Sequence, residues 1–159
     1  GSSLRTAWRY AEKDNSMGTR SITRFYSDDD STVLVALYRQ SDGYPEGHGA
    51  DLAKFLDGLL VINGLTGNDE HVANGMGCLA AQVIGHLKKT KAGEFYIVPA
   101  PGEDQEYVYE VRPPRALGNI VNPAYTVGEP ILVCRAKYDE KFEGPASGYA
   151  AWLNQKGRG

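Results

Sequence analysis

The hydrophobic pattern changes period several times along the chain. From Arg20 to Tyr26 it alternates, with Ile22, Arg24 and Tyr26 on one face and Ser21, Thr23 and Phe25 on the other. Ser27-Asp28-Asp29-Asp30-Ser31 supplies turn residues, and Thr32 to Tyr38 is almost wholly apolar. This sequence predicts a hairpin whose second strand lies inside a sheet. From Ala50 to Leu60 the spacing turns helical, through Leu52, Ala53, Leu56, Leu59 and Leu60. Asn63-Gly64 and Thr66-Gly67-Asn68-Asp69 break that element. A second helix is expected from Gly75 to Lys89, with Met76, Leu79, Ala80, Val83, Ile84 and Leu87 as its apolar stripe. Lys88, Lys89 and Lys91 suit its negative end, and Gly93 can terminate it.

The remainder reads as β. Glu94 to Val98 and Glu106 to Arg112 flank Pro99-Ala100-Pro101-Gly102-Glu103-Asp104, which predicts a second hairpin. Pro113 and Pro114 end its second strand, because two missing amides cannot serve a ladder. A loop from Arg115 to Glu129 precedes an apolar strand from Pro130 to Ala136. After Gly144-Pro145 a short helix, Ala146 to Asn154, is expected to dock Tyr149, Trp152 and Leu153. Together these predict a single α+β domain over residues 17–159. Its mainly antiparallel sheet packs against two main helices and a short C-terminal helix. Residues 1–16 read as an N-terminal extension that is partly tag-derived, with Met17 as a natural start.

Composition narrows the function classes. A chain of 159 residues with 42% hydrophobic residues suits one folded domain rather than a disordered segment. A net charge of −3 gives no overall pull toward nucleic acid or anionic lipid. No apolar run reaches the length of a membrane span, and Leu4 to Trp8 does not open a secretory leader. Cys78 and Cys134 both lie in apolar runs, so two reduced, buried thiols are expected. No Cys/His spacing suggests a metal site, and no cofactor is implied.

The segment Tyr38-Arg39-Gln40-Ser41-Asp42-Gly43-Tyr44-Pro45-Glu46-Gly47-His48-Gly49 carries most of the candidate chemistry. Gly47 and Gly49 would let backbone amides approach a bound group, and a helix beginning near Gly49 would favour an anion there. Arg39 extends the face of Val33, Val35 and Leu37 and offers a bidentate fork for phosphate or carboxylate. Tyr44 could stack on a ligand. His48 could donate to a phosphate or shuttle a proton, oriented by Asp42 or Glu46. Antiparallel pairing brings Gly18 to Arg20 beside Tyr38 to Gln40, so Arg20 and Arg39 are expected to border one pocket. Removing Arg39 should then abolish binding without unfolding the protein. The same residues also fit a structural connection, with Arg39 paired to Asp42 and the glycines serving tight turns. Neither GxxxxGK[ST] nor GxGxxG is present.

Other features read more blandly. Asn74-Gly75-Met76-Gly77-Cys78 opens the long helix, and helix-start packing explains its glycines better than a ligand does. His71 and His86 are expected to face water. Asp28-Asp29-Asp30 and Glu103-Asp104 read as solvated turns, because neither has the spacing of a calcium loop. Arg112, Arg115, Lys137 and Lys141 could line a basic edge, but Glu110, Asp139, Glu140 and Glu143 dilute it, which disfavours nucleic acid.

Met17-Gly18-Thr19-Arg20-Ser21-Ile22-Thr23, with Tyr38-Arg39-Gln40-x-Asp42-Gly43-Tyr44-Pro45-x-Gly47-His48-Gly49, resembles a family of small bacterial and bacteriophage proteins with no assigned chemistry. The resemblance continues through Asn74-Gly75-Met76-Gly77 and reaches Phe142-Glu143-Gly144. It implies a cytoplasmic setting in a bacterial or phage-infected cell. The leading functional expectation is binding of a small anionic ligand, a nucleotide or nucleotide-derived signal among the candidates. The ligand-binding residues would be Arg20, Arg39, Asp42, Tyr44, Gly47, His48 and Gly49. One alternative is a protein–protein interaction module acting on a host factor; another is a hydrolase or transferase using His48 with Asp42 or Glu46. Homo-oligomerisation is compatible with all three.

Overall fold

The computed structural model describes residues 18–62, 71–115, 128–136 and 141–158. The N-terminal extension with Met17, the 63–69 breaker, most of the Arg115–Glu129 loop, and Lys137, Asp139 and Glu140 lie outside the described residues. Alternation builds β1 (Ser21–Tyr26), and the apolar run builds β2 (Val33–Arg39). They pair antiparallel with Ser21 opposite Arg39, the predicted hairpin. A single π-helical turn, Pro45–Gly49, leads into α1 (Ala50–Leu56).

The predicted helix stops four residues before Leu60. Asp57 is extended and Gly58 takes φ +79°, which turns the chain into β3 (Leu60–Ile62). That strand pairs in parallel with β4 (Val72–Asn74), a two-stranded sheet the pattern did not announce. The strong stripe forms α2 (Gly75–Lys88). Its first turn is capped from a distance: the Met76 amide donates to Asp28 Oδ1 at 2.8 Å. Asp28 lies in the exposed turn expected from sequence and also caps α2, so no ligand is needed to satisfy that amide.

The chain continues through β5 (Phe95–Val98), β6 (Tyr107–Arg112), β7 (Ile131–Ala136) and β8 (Lys141–Pro145) to α3 (Tyr149–Arg158). A 3-10 turn, Ala146–Gly148, precedes α3. Six strands form one sheet in the order β5-β2-β1-β6-β7-β8, antiparallel throughout except for β1 beside β6. The molecule is thus a single α+β domain whose sheet packs against two main helices and a C-terminal helix. Phe25, Leu37, Tyr109, Val111 and Leu132 meet Leu52, Leu56, Met76, Leu79 and Tyr149 in the main core. Among the described residues no helix is long and apolar enough to cross a membrane.

The second predicted hairpin does not form. β5 pairs with β2 and β6 with β1, so two strands separate them and the Pro99–Gln105 connection crosses the sheet. Tertiary contacts hold it there. Arg24 donates from Nε to the Pro101 carbonyl (2.7 Å) and from a terminal nitrogen to Gly102 O (3.0 Å) and Asp104 Oδ1 (2.7 Å). Gly102 lies so close to β1 that a Cβ would sit 2.8 Å from Ile22 Cδ1. The crossing loop covers a small second core of Ile22, Ala36, Tyr38 and Val108. The cysteine expectation is half corrected: both thiols are free and Cys134 is buried, but Cys78 is exposed on α2.

Candidate functional site

The segment from Tyr38 to Gly49 folds against itself and the core. The amides of Gly47 and His48 donate to the carbonyls of Tyr44 (2.9 Å) and Asp42 (2.8 Å). Buried Tyr109 donates to Gly43 O at 2.7 Å, and buried Tyr149 donates to Pro45 O at 2.6 Å. A Cβ on Gly47 would lie 2.5 Å from Asp42 O, and one on Gly49 would lie 1.9 Å from Tyr149 Oη. These glycines admit protein atoms, not a ligand. Asp42 accepts from Tyr44 (3.3 Å), and Glu46 accepts from Lys156 (3.3 Å).

Arg39 and His48 form the buried centre. Arg39 approaches His48 Nδ1 at 3.2 Å, and Thr23 Oγ1 lies 2.7 Å from His48 Nε2. A guanidinium has only donors, so Nδ1 accepts, Nε2 carries the hydrogen, and Thr23 receives it. Arg39 also donates to Asp51 Oδ2 (3.0 Å) and Glu94 Oε1 (3.2 Å) and lies 4.8 Å over the Phe95 ring. Its Nε has no partner among the described residues.

Burial, reinforced by the Arg39 charge, lowers the His48 pKa from 6.5 to about 3. A fully buried, neutral imidazole with both nitrogens engaged is not a proton shuttle, and neither Asp42 nor Glu46 orients it. The acid–base arrangement expected from sequence is therefore not assembled. The shift has a sign. Below pH 6.5 the unfolded chain takes up a proton that the folded chain refuses until pH approaches 3. Stability should thus fall with acidification across that window, by up to about 1.4 kcal/mol per pH unit. Urea titrations should find the protein about 2 kcal/mol less stable at pH 5 than at pH 7 from this group. Subtracting the profile of His48→Gln, whose amide can make both bonds without titrating, isolates the effect; identical profiles would contradict it.

Arg20 does not join Arg39. Ser21 is the residue opposite Arg39, so alternation puts the Arg20 side chain on the other face of the sheet. It lines a separate hollow with Asp104, Glu106 and Arg135. The expected proximity of the two backbone segments is real, with Gly43 N donating to Thr19 O at 2.9 Å, but the two-arginine pocket does not exist.

Arg39 instead floors a hollow of about 840 Å³ between α1, α2 and the start of β5. Five cationic side chains, Arg39, Lys54, Lys88, Lys89 and Lys91, line it against two carboxylates, Asp51 and Glu94. Both carboxylates are paired to Arg39. Lys88 is occupied by the carbonyls of Gly93 (2.9 Å) and Phe95 (3.1 Å). Lys54, Lys89 and Lys91 form no ion pair among the described residues. His71 and His86 also line the hollow, and the His86 ring lies 4.7 Å from that of Phe55. From the sequence Lys88, Lys89 and Lys91 belong to the helix end and His71 and His86 face water, and both histidines are exposed. Lys54 and Phe55 on one helix, and His86 on the next with Lys89 just past its end, gave no local signal that they share a wall.

The opposite sheet face is also rich in charge but internally matched. Buried Glu110 accepts from Arg112 (3.0 Å) and Arg135, Arg112 reaches Asp30 (2.8 Å), and Arg115 reaches Glu143 (2.9 Å). These pairings neutralise the arginines expected to form a basic edge. Among the described residues no group of three or more His, Cys, Asp or Glu side chains could hold a metal ion. No family model, curated protein or solved structure matches this chain.

Proposed function

We propose that this protein binds a small anionic ligand in the hollow between α1, α2 and β5. The observation that carries this reading is a surplus of three positive charges lining that hollow, in a chain whose net charge is −3. A concave, cationic wall focuses potential and raises the local anion concentration. The volume lies within the range of small-molecule sites. Arg39 contributes as a fixed floor rather than as a free fork, and Lys54, Lys89 and Lys91 supply the ammonium groups left for a ligand.

Calorimetric titration with inorganic phosphate and pyrophosphate at low ionic strength tests this. Pyrophosphate should bind more tightly than phosphate, and the double variant Lys54→Glu/Lys91→Glu should weaken both at least tenfold. Both lysines lie away from the core, so folding should survive. Absence of binding by either anion at millimolar concentration would end the proposal. The interaction-module alternative rests on β5, which ends the sheet with Tyr96 and Ile97 exposed. That reading leaves the charge surplus unexplained.

A further inference from the structure

The lysine turn that closes the hollow has a backbone its residues do not favour. Lys91 N donates to Lys88 O at 3.2 Å, and Lys89, between them, takes φ 50° and ψ −128°. This is the first central position of a type II′ turn, one that ordinarily carries glycine. Glu94, at the far side of the same connection, also has positive φ at 66°. Two non-glycine residues in strained conformations thus flank one hollow, a pattern associated with ligand clamps. Lys88 anchors the turn through the carbonyls of Gly93 and of Phe95, the first residue of β5, so the turn is held rather than loose. At Lys89 glycine would relax the backbone; what lysine adds is an ammonium at the wall of the hollow.

The rest of the wall is unlike the lysine turn. Phe55 and His86 lie ring to ring at 4.7 Å with a 34° tilt, and Leu59, Leu87 and Phe95 continue the apolar lining. His86, in the last turn of α2, and Lys89, the residue that follows the helix, both line the hollow. The hollow therefore carries two sets of groups, aromatic and aliphatic ones and cationic ones. A simple inorganic anion uses only the second.

Resting on the anion-binding reading, we propose that the ligand is a phosphorylated planar ring, in its simplest form a nucleoside monophosphate. Its base packs against the Phe55–His86 pair, and its phosphate is received by Lys89. Stacking against an aromatic face and charge-assisted bonds to an ammonium supply separate parts of the affinity.

Titration of the full chain with adenosine 5′-monophosphate, ribose 5-phosphate and adenosine separates these parts. The nucleotide should bind at least tenfold more tightly than either fragment. Lys89→Gly should raise the melting temperature, because the strained corner relaxes. It should also weaken nucleotide binding at least tenfold while leaving the adenosine affinity unchanged. Phe55→Leu should reduce the nucleotide's advantage over ribose 5-phosphate. If ribose 5-phosphate binds as tightly as the nucleotide, the ring assignment is wrong while the anion site stands. If Lys89→Gly is stabilised and binds normally, Lys89 is not the phosphate contact. If no anion binds at all, the underlying reading falls as well.

Discussion

Gly49→Ala should remove a large share of the protein's stability. The added methyl would sit 1.9 Å from Tyr149 Oη, 2.8 Å from Tyr149 Cζ and 3.0 Å from Tyr109 Cε1. Neither ring can swing into solvent, because Tyr149 and Tyr109 are 1% and 0% exposed. The Tyr149 hydroxyl is also committed to the Pro45 carbonyl, so displacing it breaks a buried hydrogen bond. Overpacking of this kind costs about 1–3 kcal/mol or more, and a buried polar group left unpaired adds roughly 1–3 kcal/mol. A loss of about 4 kcal/mol is expected, against a typical domain stability of about 5–15 kcal/mol. Urea unfolding measures it directly. Gly77→Ala is the control: it lies in α2 with no atom within 4 Å of the added methyl, and should be neutral or mildly stabilising. A Gly49→Ala midpoint matching that control would show that the aromatic clamp over the Pro45–Gly49 turn is not as described.

The second large effect is expected at Arg39. The sequence favoured a free binding fork whose loss would spare the fold. In the structure the guanidinium holds Asp51, Glu94 and His48 together and lies over Phe95. Arg39→Met would leave His48 Nδ1 buried without its donor and place two carboxylates beside an uncharged floor. Breaking a fully buried pair costs about 3–5 kcal/mol. Asp51 and Glu94 retain 53% and 25% side-chain exposure, and water would recover part of that loss. A destabilisation of roughly 3 kcal/mol is therefore expected by urea unfolding. Arg39→Lys keeps the charge but not the fork, and should recover only part of it. A variant that loses anion binding with an unchanged unfolding midpoint would restore the simpler view of Arg39 as a surface ligand group.

Much of the local architecture was legible in the sequence because period reports burial. Alternation at Ser21–Tyr26, the apolar run at Val33–Arg39 and the stripe of α2 each depend on contacts along one element. Alternation also contained the answer for Arg20, which shares parity with Ile22 and so could not face the same way as the residue paired to Ser21. The tag-like start and the predicted edge residues around Lys137 gave no such test, since they lie outside the described residues.

By itself the sequence determined most of the elements and the α+β class, and it singled out Tyr38 to Gly49 as a segment to account for. Only the tertiary structure decided what that segment is for. It separated β5 from β6 by inserting the β1–β2 hairpin between them, which no turn motif in Pro99 to Asp104 could disclose. It closed Tyr109 and Tyr149 over the glycines, buried His48 as a neutral bridge, and committed Arg39 to two acids. It also gathered the lysines and rings of α1 and α2 around one hollow. The physical reason is common to all of these: local period records which side of an element is buried, whereas partner choice is settled by strands and side chains far apart in the chain.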